Sequence, residues 1–233
     1  METPQLRFLR QLDICPPEKL AFPIAVIGAG AIGSATVITL AKMGCSNITV
    51  WDDDMLEEHN ASNQLCRLDA IGRPKVQALA LLTEDLTGVS IKTRPERYKG
   101  QRLEGVVITA VDSMGSRAEV WKRARFNPAI PLLVDARMGA EVARIYTVHP
   151  ANADEVDFYE ANLYPQDEAE RLPCSARSII YCPTVVAGLI ARQVKSHALG
   201  TPLPREILLD LPGLTLISTR LDTPAQAAVL SHA

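Results

Sequence analysis

Residues Ile24–Ala35 read IAVIGAGAIGSA, an apolar β-branched run that passes through G-x-G-x-x-G into a small-residue stretch. A wholly apolar run of this length suits a strand buried on both faces of a parallel sheet. The glycines suit the turn that follows it: Gly28 for the tight bend, Gly30 for close approach of backbone to a phosphate, Gly33 for close packing of helix on strand. The helix that opens there would present its positive end to an anion. The stretch therefore predicts a strand, a nucleotide-binding turn and a helix.

The same alternation continues outward. Ala31 to Gly44 reads as a helix stopped by glycine and NITVW (Asn47 to Trp51) as the next strand, completing a βαβ unit. Lys75 to Asp85 and Gly115 to Phe126 are helical in pattern, while VVITAV (Val106 to Val111) and LLVDAR (Leu132 to Arg137) read as strands. The expected fold is α/β, a doubly wound, mostly parallel Rossmann-like sheet. Past Arg137, EVARIYTV (Glu141 to Val148) alternates like a strand, and Pro150 to Pro173 is acidic and lacks periodicity. A crossover loop is expected over residues 150–182. From Pro183 a helical pattern resumes, with a further strand near Leu214 to Ser218, giving the sheet a C-terminal strand and helix extension.

A length of 233 residues with 47% hydrophobic content fits one domain over 1–233. The net charge of −3 offers no bulk attraction to nucleic acid or anionic membrane, so neither is expected as a partner. Leu20 to Ala41 carries no charge and is long enough to cross a bilayer, but Pro23 and the three glycines would break a spanning helix. Five scattered cysteines without a C-x-x-C pair argue against structural zinc and for a reducing compartment. The charged N-terminus has no signal-peptide core, so the expected location is the cytoplasm.

Asp52 follows the second strand, 19 residues after Gly33, where a carboxylate would hold ribose hydroxyls. Up to this point a nicotinamide-dependent oxidoreductase fits as well as anything. The next stretch argues for different chemistry. Asp52 and Asp54, then Asn60, Gln64 and the run Gly72-Arg73-Pro74-Lys75 resemble, in that order, the segment after the second strand in the ubiquitin-activating-enzyme-like adenylyltransferases, the ThiF/MoeB/HesA superfamily. AVDSMGSR, with Asp112 after a buried strand and Arg117 five residues later, resembles a second element of that family, and RFLRQ (Arg7 to Gln11) a third.

The resemblance implies ATP and Mg²⁺ as cofactors. It implies as substrate the C-terminal carboxylate of a small ubiquitin-like, β-grasp carrier protein, and a homodimer in which Arg10 reaches the partner's nucleotide. Adenylation transfers a carboxylate onto an α-phosphate while pyrophosphate leaves, so cations must neutralise the triphosphate. Lys75 at a helix start suits the phosphates, and Asp112 at a strand's carboxyl end suits Mg²⁺. An oxidoreductase would leave Lys75, Asp112 and Arg10 without roles.

The chain departs from the family where Asn63 stands in place of an arginine just before Gln64; Arg67 or Arg73 could supply the missing cation. That loss also admits a catalytically silent adaptor. Cys174, in RLPCSARS, holds the kind of loop position where the family places a catalytic cysteine, and Arg171 and Arg177 would favour its thiolate. A thioester after adenylation is the corresponding expectation; a bystander thiol is the alternative. Cys45, Cys66 and Cys182 read as packing residues.

Overall fold

The computed structural model describes residues 4–164 and 178–219. One sheet of eight strands organises the described residues: β1 (Ile24–Ile27), β2 (Ile48–Trp51), β3 (Lys92–Arg94), β4 (Val106–Thr109), β5 (Leu132–Gly139), β6 (Val142–Val148), β7 (Glu206–Asp210) and β8 (Thr215–Thr219), in the order 3-2-1-4-5-6-7-8. Strands β3, β2, β1, β4 and β5 run parallel, and β6, β7 and β8 extend the sheet antiparallel. The order reverses at β1, between β2 and β4. Such a switch point leaves a crevice beyond the strand ends, where ligands of open α/β sheets bind.

Because side chains alternate across a strand, β1 and β4 feed two cores at once. Ile24, Val26, Val106 and Ile108 pack with Val37 and Leu40 of α1 (Ala31–Met43), Leu79 of α2 (Lys75–Thr87), and Ile190 and Val194 of α5 (Tyr181–Ala198). Ala25, Ile27 and Val107 pack on the other face with Val120 and Trp121 of α3 (Met114–Ala124), and with Val156 and Tyr159 of α4 (Ala153–Glu160). All four residues of β1 and of β4 are buried, which is why these strands carry no polar side.

Four elements differ from the sequence expectation. The crossover loop expected over 150–182 contains α4, so the chain folds back onto the sheet before residue 165. Asn152 caps that helix by accepting from the amides of Asp154 and Glu155, and Val156 and Tyr159 bury themselves three residues apart. Two apolar positions are too few to show a period, but enough to dock one short helix. At the far end of the same range, Tyr181 and Cys182 already belong to α5, since Pro183 falls in its first turn, where a missing N–H costs nothing. Strands β3 and β7 were not anticipated: KTR is a short polar edge strand, and EILLD alternates over only five residues.

Among the described residues no helix is long and apolar enough to cross a membrane. Cys15, Cys45, Cys66 and Cys182 are free thiols, and burial raises the pKa of each, Cys45 to about 12.

Candidate functional site

The three glycines do different work at the end of β1. A Cβ on Gly28 would lie 2.5 Å from the Ala110 carbonyl oxygen, and one on Gly33 would lie 1.9 Å from the Gly28 carbonyl oxygen. Both positions are fixed by packing of turn against helix and neighbouring strand. Gly30 is the exception, with no atom within 4 Å of where its Cβ would stand. It also opens α1, with no side chain capping the helix. Free backbone N–H groups facing open space at a helix start are what an anionic ligand needs.

Asp52 is committed to holding this turn. Its Oδ2 accepts the Ala29 amide at 2.7 Å and its Oδ1 the Asp54 amide at 2.9 Å. Burial raises its pKa, while those two amides and Lys75 pull the other way. Each carboxylate oxygen retains a lone pair, so a ribose hydroxyl can still donate to it.

Beyond Asp52 the chain doubles back on the start of α2. The Leu56 amide donates to the Arg73 carbonyl, the Gly72 amide to the Leu56 carbonyl and the Lys75 amide to the Asp54 carbonyl. This clamp brings Lys75 Nζ to 2.6 Å from Asp54 Oδ2, with the lysine side chain only 11% exposed. A solvated surface lysine would not be so enclosed. Oxygens of Asp52, Asp53 and Asp54 lie within 4.8 Å of one another, but Asp52 serves the backbone and Asp54 serves Lys75.

Asn60 accepts the Glu57 amide through Oδ1 and closes a short 3-10 turn, and its carbonyl accepts the Gln64 amide. Asn63 Nδ2 reaches towards Ser178 Oγ at 3.5 Å, and its Oδ1 is buried without a partner among the described residues. Arg67 is taken: Asp69 holds it at 2.6 Å, and Asp85, on the last turns of α2, holds it from the other side. Arg73 is exposed and forms no side-chain hydrogen bond or ion pair with the described residues, its charge being felt only at Asp69. Of the two cations that could replace the family arginine, Arg73 is the available one.

Asp112 lies just past β4, exposed, and forms no hydrogen bond or ion pair with the described residues. A free carboxylate at a strand's carboxyl end fits a divalent cation's oxygen-ligand chemistry. A cleft of about 730 Å³ opens between Asp53, the Arg97–Lys99 segment and the start of α3 at Gly115 and Ser116. Gly28, Gly30, Gly33, Asp52, Asp54, Lys75 and Asp112 thus gather at the carboxyl ends of β1, β2 and β4. Arg10 stands apart, exposed on a 3-10 helix (Pro4–Gln11), where Gln11 donates to the Met43 carbonyl at the opposite end of α1. Cys174, Arg171 and Arg177 lie outside the described residues.

Sequence reasoning passed over Asp135, Arg137 and Tyr159. Asp135 is fully buried on β5, paired with buried Arg117 through Oδ1 and with Arg137 Nε at 2.8 Å through Oδ2, which also accepts the Tyr159 hydroxyl at 3.0 Å. Burial, reinforced by the Asp135 charge, pushes the Tyr159 pKa well above its usual value. The available signal was an Asp and an Arg at alternate positions of an otherwise apolar strand, LLVDAR.

The model of the ThiF family matches residues 19–226. The SAMP-activating enzyme E1 of Haloferax volcanii is 28% identical over 122 residues, 49% of this chain and 45% of that protein. The NEDD8-activating enzyme E1 catalytic subunit of Arabidopsis thaliana is 32% identical over 101 residues, 40% of this chain and 22% of that protein. The matches thus span less than half the length of these curated relatives. Among solved structures, PaaA in its selenomethionine form superposes with a TM-score of 0.73 at 19% identity, covering 94% of this chain and 83% of that one. Escherichia coli MccB with AMPCPP and MccA gives 0.71 at 15% identity, covering 94% and 72%. At such identities these structures share the fold.

Proposed function

This chain belongs to the ThiF family, and from that premise we propose that it adenylates a carboxylate with ATP, the carboxylate being the C-terminus of a small ubiquitin-like carrier protein. The observation that carries the reading is the convergence of open space at Gly30, an enclosed Lys75 ammonium and the uncommitted Asp112 carboxylate beyond the switch point. A dinucleotide-dependent hydride transfer would use the first of these and neither of the others.

In the proposed reaction the turn at Gly30 and the start of α1 hold the phosphates, Asp52 the ribose, and the cleft beside Asp53 the base. A carrier carboxylate oxygen attacks the α-phosphorus, the bond to the β-phosphate bridging oxygen breaks, and pyrophosphate departs. Lys75 and Arg73 neutralise the charge that gathers on the leaving group. Asp112 would hold Mg²⁺, whose charge helps neutralise the triphosphate. Gln64 and Asn60 shape the loop through which Asp54 meets Lys75. In a second step the Cys174 thiolate attacks the acyl carbon of the adenylate and AMP leaves, giving a thioester. The protein acts as a cytoplasmic homodimer, with Arg10 completing the partner's site.

Asn63 favours one other reading, a silent adaptor, because a neutral amide stands where the family has a cation and Arg67 is held by two carboxylates. Carrier-dependent exchange of labelled pyrophosphate into ATP separates the two. Exchange supports the enzyme; its absence with Mg-ATP bound and the candidate carriers present favours the adaptor. Mass spectrometry of the reaction with and without thiol reductant then tests Cys174, whose alanine variant should keep exchange and lose any reductant-sensitive adduct.

A further inference from the structure

Two guanidinium groups share one carboxylate beneath the strand ends, and the chemistry above uses none of the three. Arg117 spans the gap between Asp135 Oδ1 and the carbonyl of Val111, the residue immediately before Asp112. On the other side Arg137 donates from Nε to Asp135 Oδ2 at 2.8 Å and from Nη1 to the Asn162 carbonyl at 2.7 Å, at the end of α4. Its guanidinium lies 4.5 Å from the Tyr146 ring centroid and 5.6 Å from that of Tyr164. Arg137 Nη2 is buried and has no hydrogen-bond partner among the described residues. The result is an unbroken chain from the Val111 carbonyl, through Arg117, Asp135 and Arg137, to the Asn162 carbonyl.

Buried charges of this kind are poor stabilisers, since well-packed apolar side chains of the same volume often do as well or better. What they provide is direction. A carbonyl held by a guanidinium fixes the peptide plane it belongs to, and the plane that ends at Val111 C=O begins Asp112. We propose that Asp135, Arg137 and Tyr159 are positioning residues for Asp112, acting through Arg117 to set the angle at which the Asp112 carboxylate leaves the strand end. The consequence for metal rests on the function proposed above; the mechanical coupling does not.

The coupling is read by hydrogen exchange in the protein without nucleotide. The Ala110, Ser116 and Arg117 amides are protected by bonds to Ile27 O, Ser113 Oγ and Ser113 O, and they flank Asp112. Arg137→Lys keeps the charge but cannot bridge Asp135 and Asn162 together. It should speed exchange of these amides about threefold or more, with β1 and α1 unchanged. Tyr159→Phe, which removes one hydroxyl, should give a smaller rise at the same amides, and it decides the matter if Arg137→Lys loosens the whole fold. Faster exchange confined to Phe158–Tyr164 would overturn the proposal. In the active enzyme both variants should raise the Mg²⁺ concentration for half-maximal pyrophosphate exchange several-fold; a lowered Tm with an unchanged Mg²⁺ requirement would mark a merely structural role. If the unmodified protein neither binds Mg-ATP nor exchanges pyrophosphate, the functional reading fails, while hydrogen exchange still decides the coupling.

Discussion

The ammonium of Lys75 lies 2.6 Å from Asp54 Oδ2, the lysine almost enclosed and the aspartate 65% exposed. An ion pair with so exposed a partner is worth about 0–1 kcal/mol, so exchanging the carboxylate for a phosphate costs little. The lysine is aimed before the nucleotide arrives, and Asp54 holds the aim. Lys75→Ala should therefore cost on the order of 2–4 kcal/mol in the adenylation step, the scale for losing one preorganised electrostatic partner. Asp54→Ala should cost less than about tenfold, or ~1.4 kcal/mol. Pyrophosphate exchange measures both, and equal losses would mean that Asp54 itself contacts the nucleotide or its metal.

The fingerprint glycines should separate into two classes when each is changed to alanine. Gly33→Ala sets a methyl 1.9 Å from the Gly28 carbonyl oxygen, a clash with backbone that neither side can relieve cheaply. It should destabilise the fold by about 1–3 kcal/mol, the usual cost of overpacking. Gly30→Ala meets nothing, at a φ of −75° that alanine accepts. Its Tm should stay near that of the unmodified protein, while ATP affinity falls tenfold or more because the methyl occupies the phosphates' place. Thermal unfolding and calorimetric titration check the pair; unchanged ATP affinity in Gly30→Ala would move the phosphates elsewhere.

What could be read from the sequence follows from which elements are buried on both faces. Strands β1 and β4, and β5 up to Val134, are apolar runs because helices cover both faces of the sheet there, and α1 announces itself through the glycines that bracket it. Strand β3 at the sheet edge has no such pattern, and α4 buries only Val156 and Tyr159 among its apolar side chains. The site divides in the same way. Gly30, Lys75 and Asp112 stand out by their places relative to strands and helix starts. The pairing of Asp135 with Arg117 and Tyr159, 18 and 24 residues away in the chain, exists only once β5, α3 and α4 are packed. Sequence distance carries no trace of it. The choice between Arg67 and Arg73 likewise needed the structure, because Asp85 reaches Arg67 across 18 residues.

Stability should carry a histidine signal near neutral pH. His149 Nδ1 lies 2.9 Å from Glu155 Oε2, and that hydrogen bond raises the His149 pKa against the opposing effect of burial. A base whose folded pKa is raised contributes stability below its unfolded value, about 6.5, and loses it as pH rises through the folded value. His197 works in the opposite sense, since burial and the His149 charge lower its pKa and cost stability below about pH 6.5. His149→Gln isolates the first contribution. Its Tm deficit relative to the unmodified protein should be largest near pH 6 and shrink as pH rises to about 8.5. A deficit independent of pH would mean that the imidazole is not charged in the fold.

Arg10 sits where it cannot serve its own site. The Gln11 side chain donates to the Met43 carbonyl at 2.7 Å and Arg7 to the Thr87 carbonyl at 3.1 Å, so the N-terminal 3-10 helix rests on the carboxyl ends of α1 and α2. Gly30 and Lys75 stand at the amino ends of the same helices, each 13 residues long, or about 20 Å away along the axis. If Arg10 completes a neighbouring site, Arg10→Ala and Asp112→Ala chains should each be inactive alone and regain activity together. Equal mixing makes about half of the dimers mixed, each with one complete site of two, so activity should return to roughly a quarter of the unmodified level. The mixture is prepared by co-expression with two different tags, so that mixed dimers can be isolated and counted. Isolated mixed dimers without activity would remove Arg10 from catalysis in trans, and the distance along α1 already argues against it in cis.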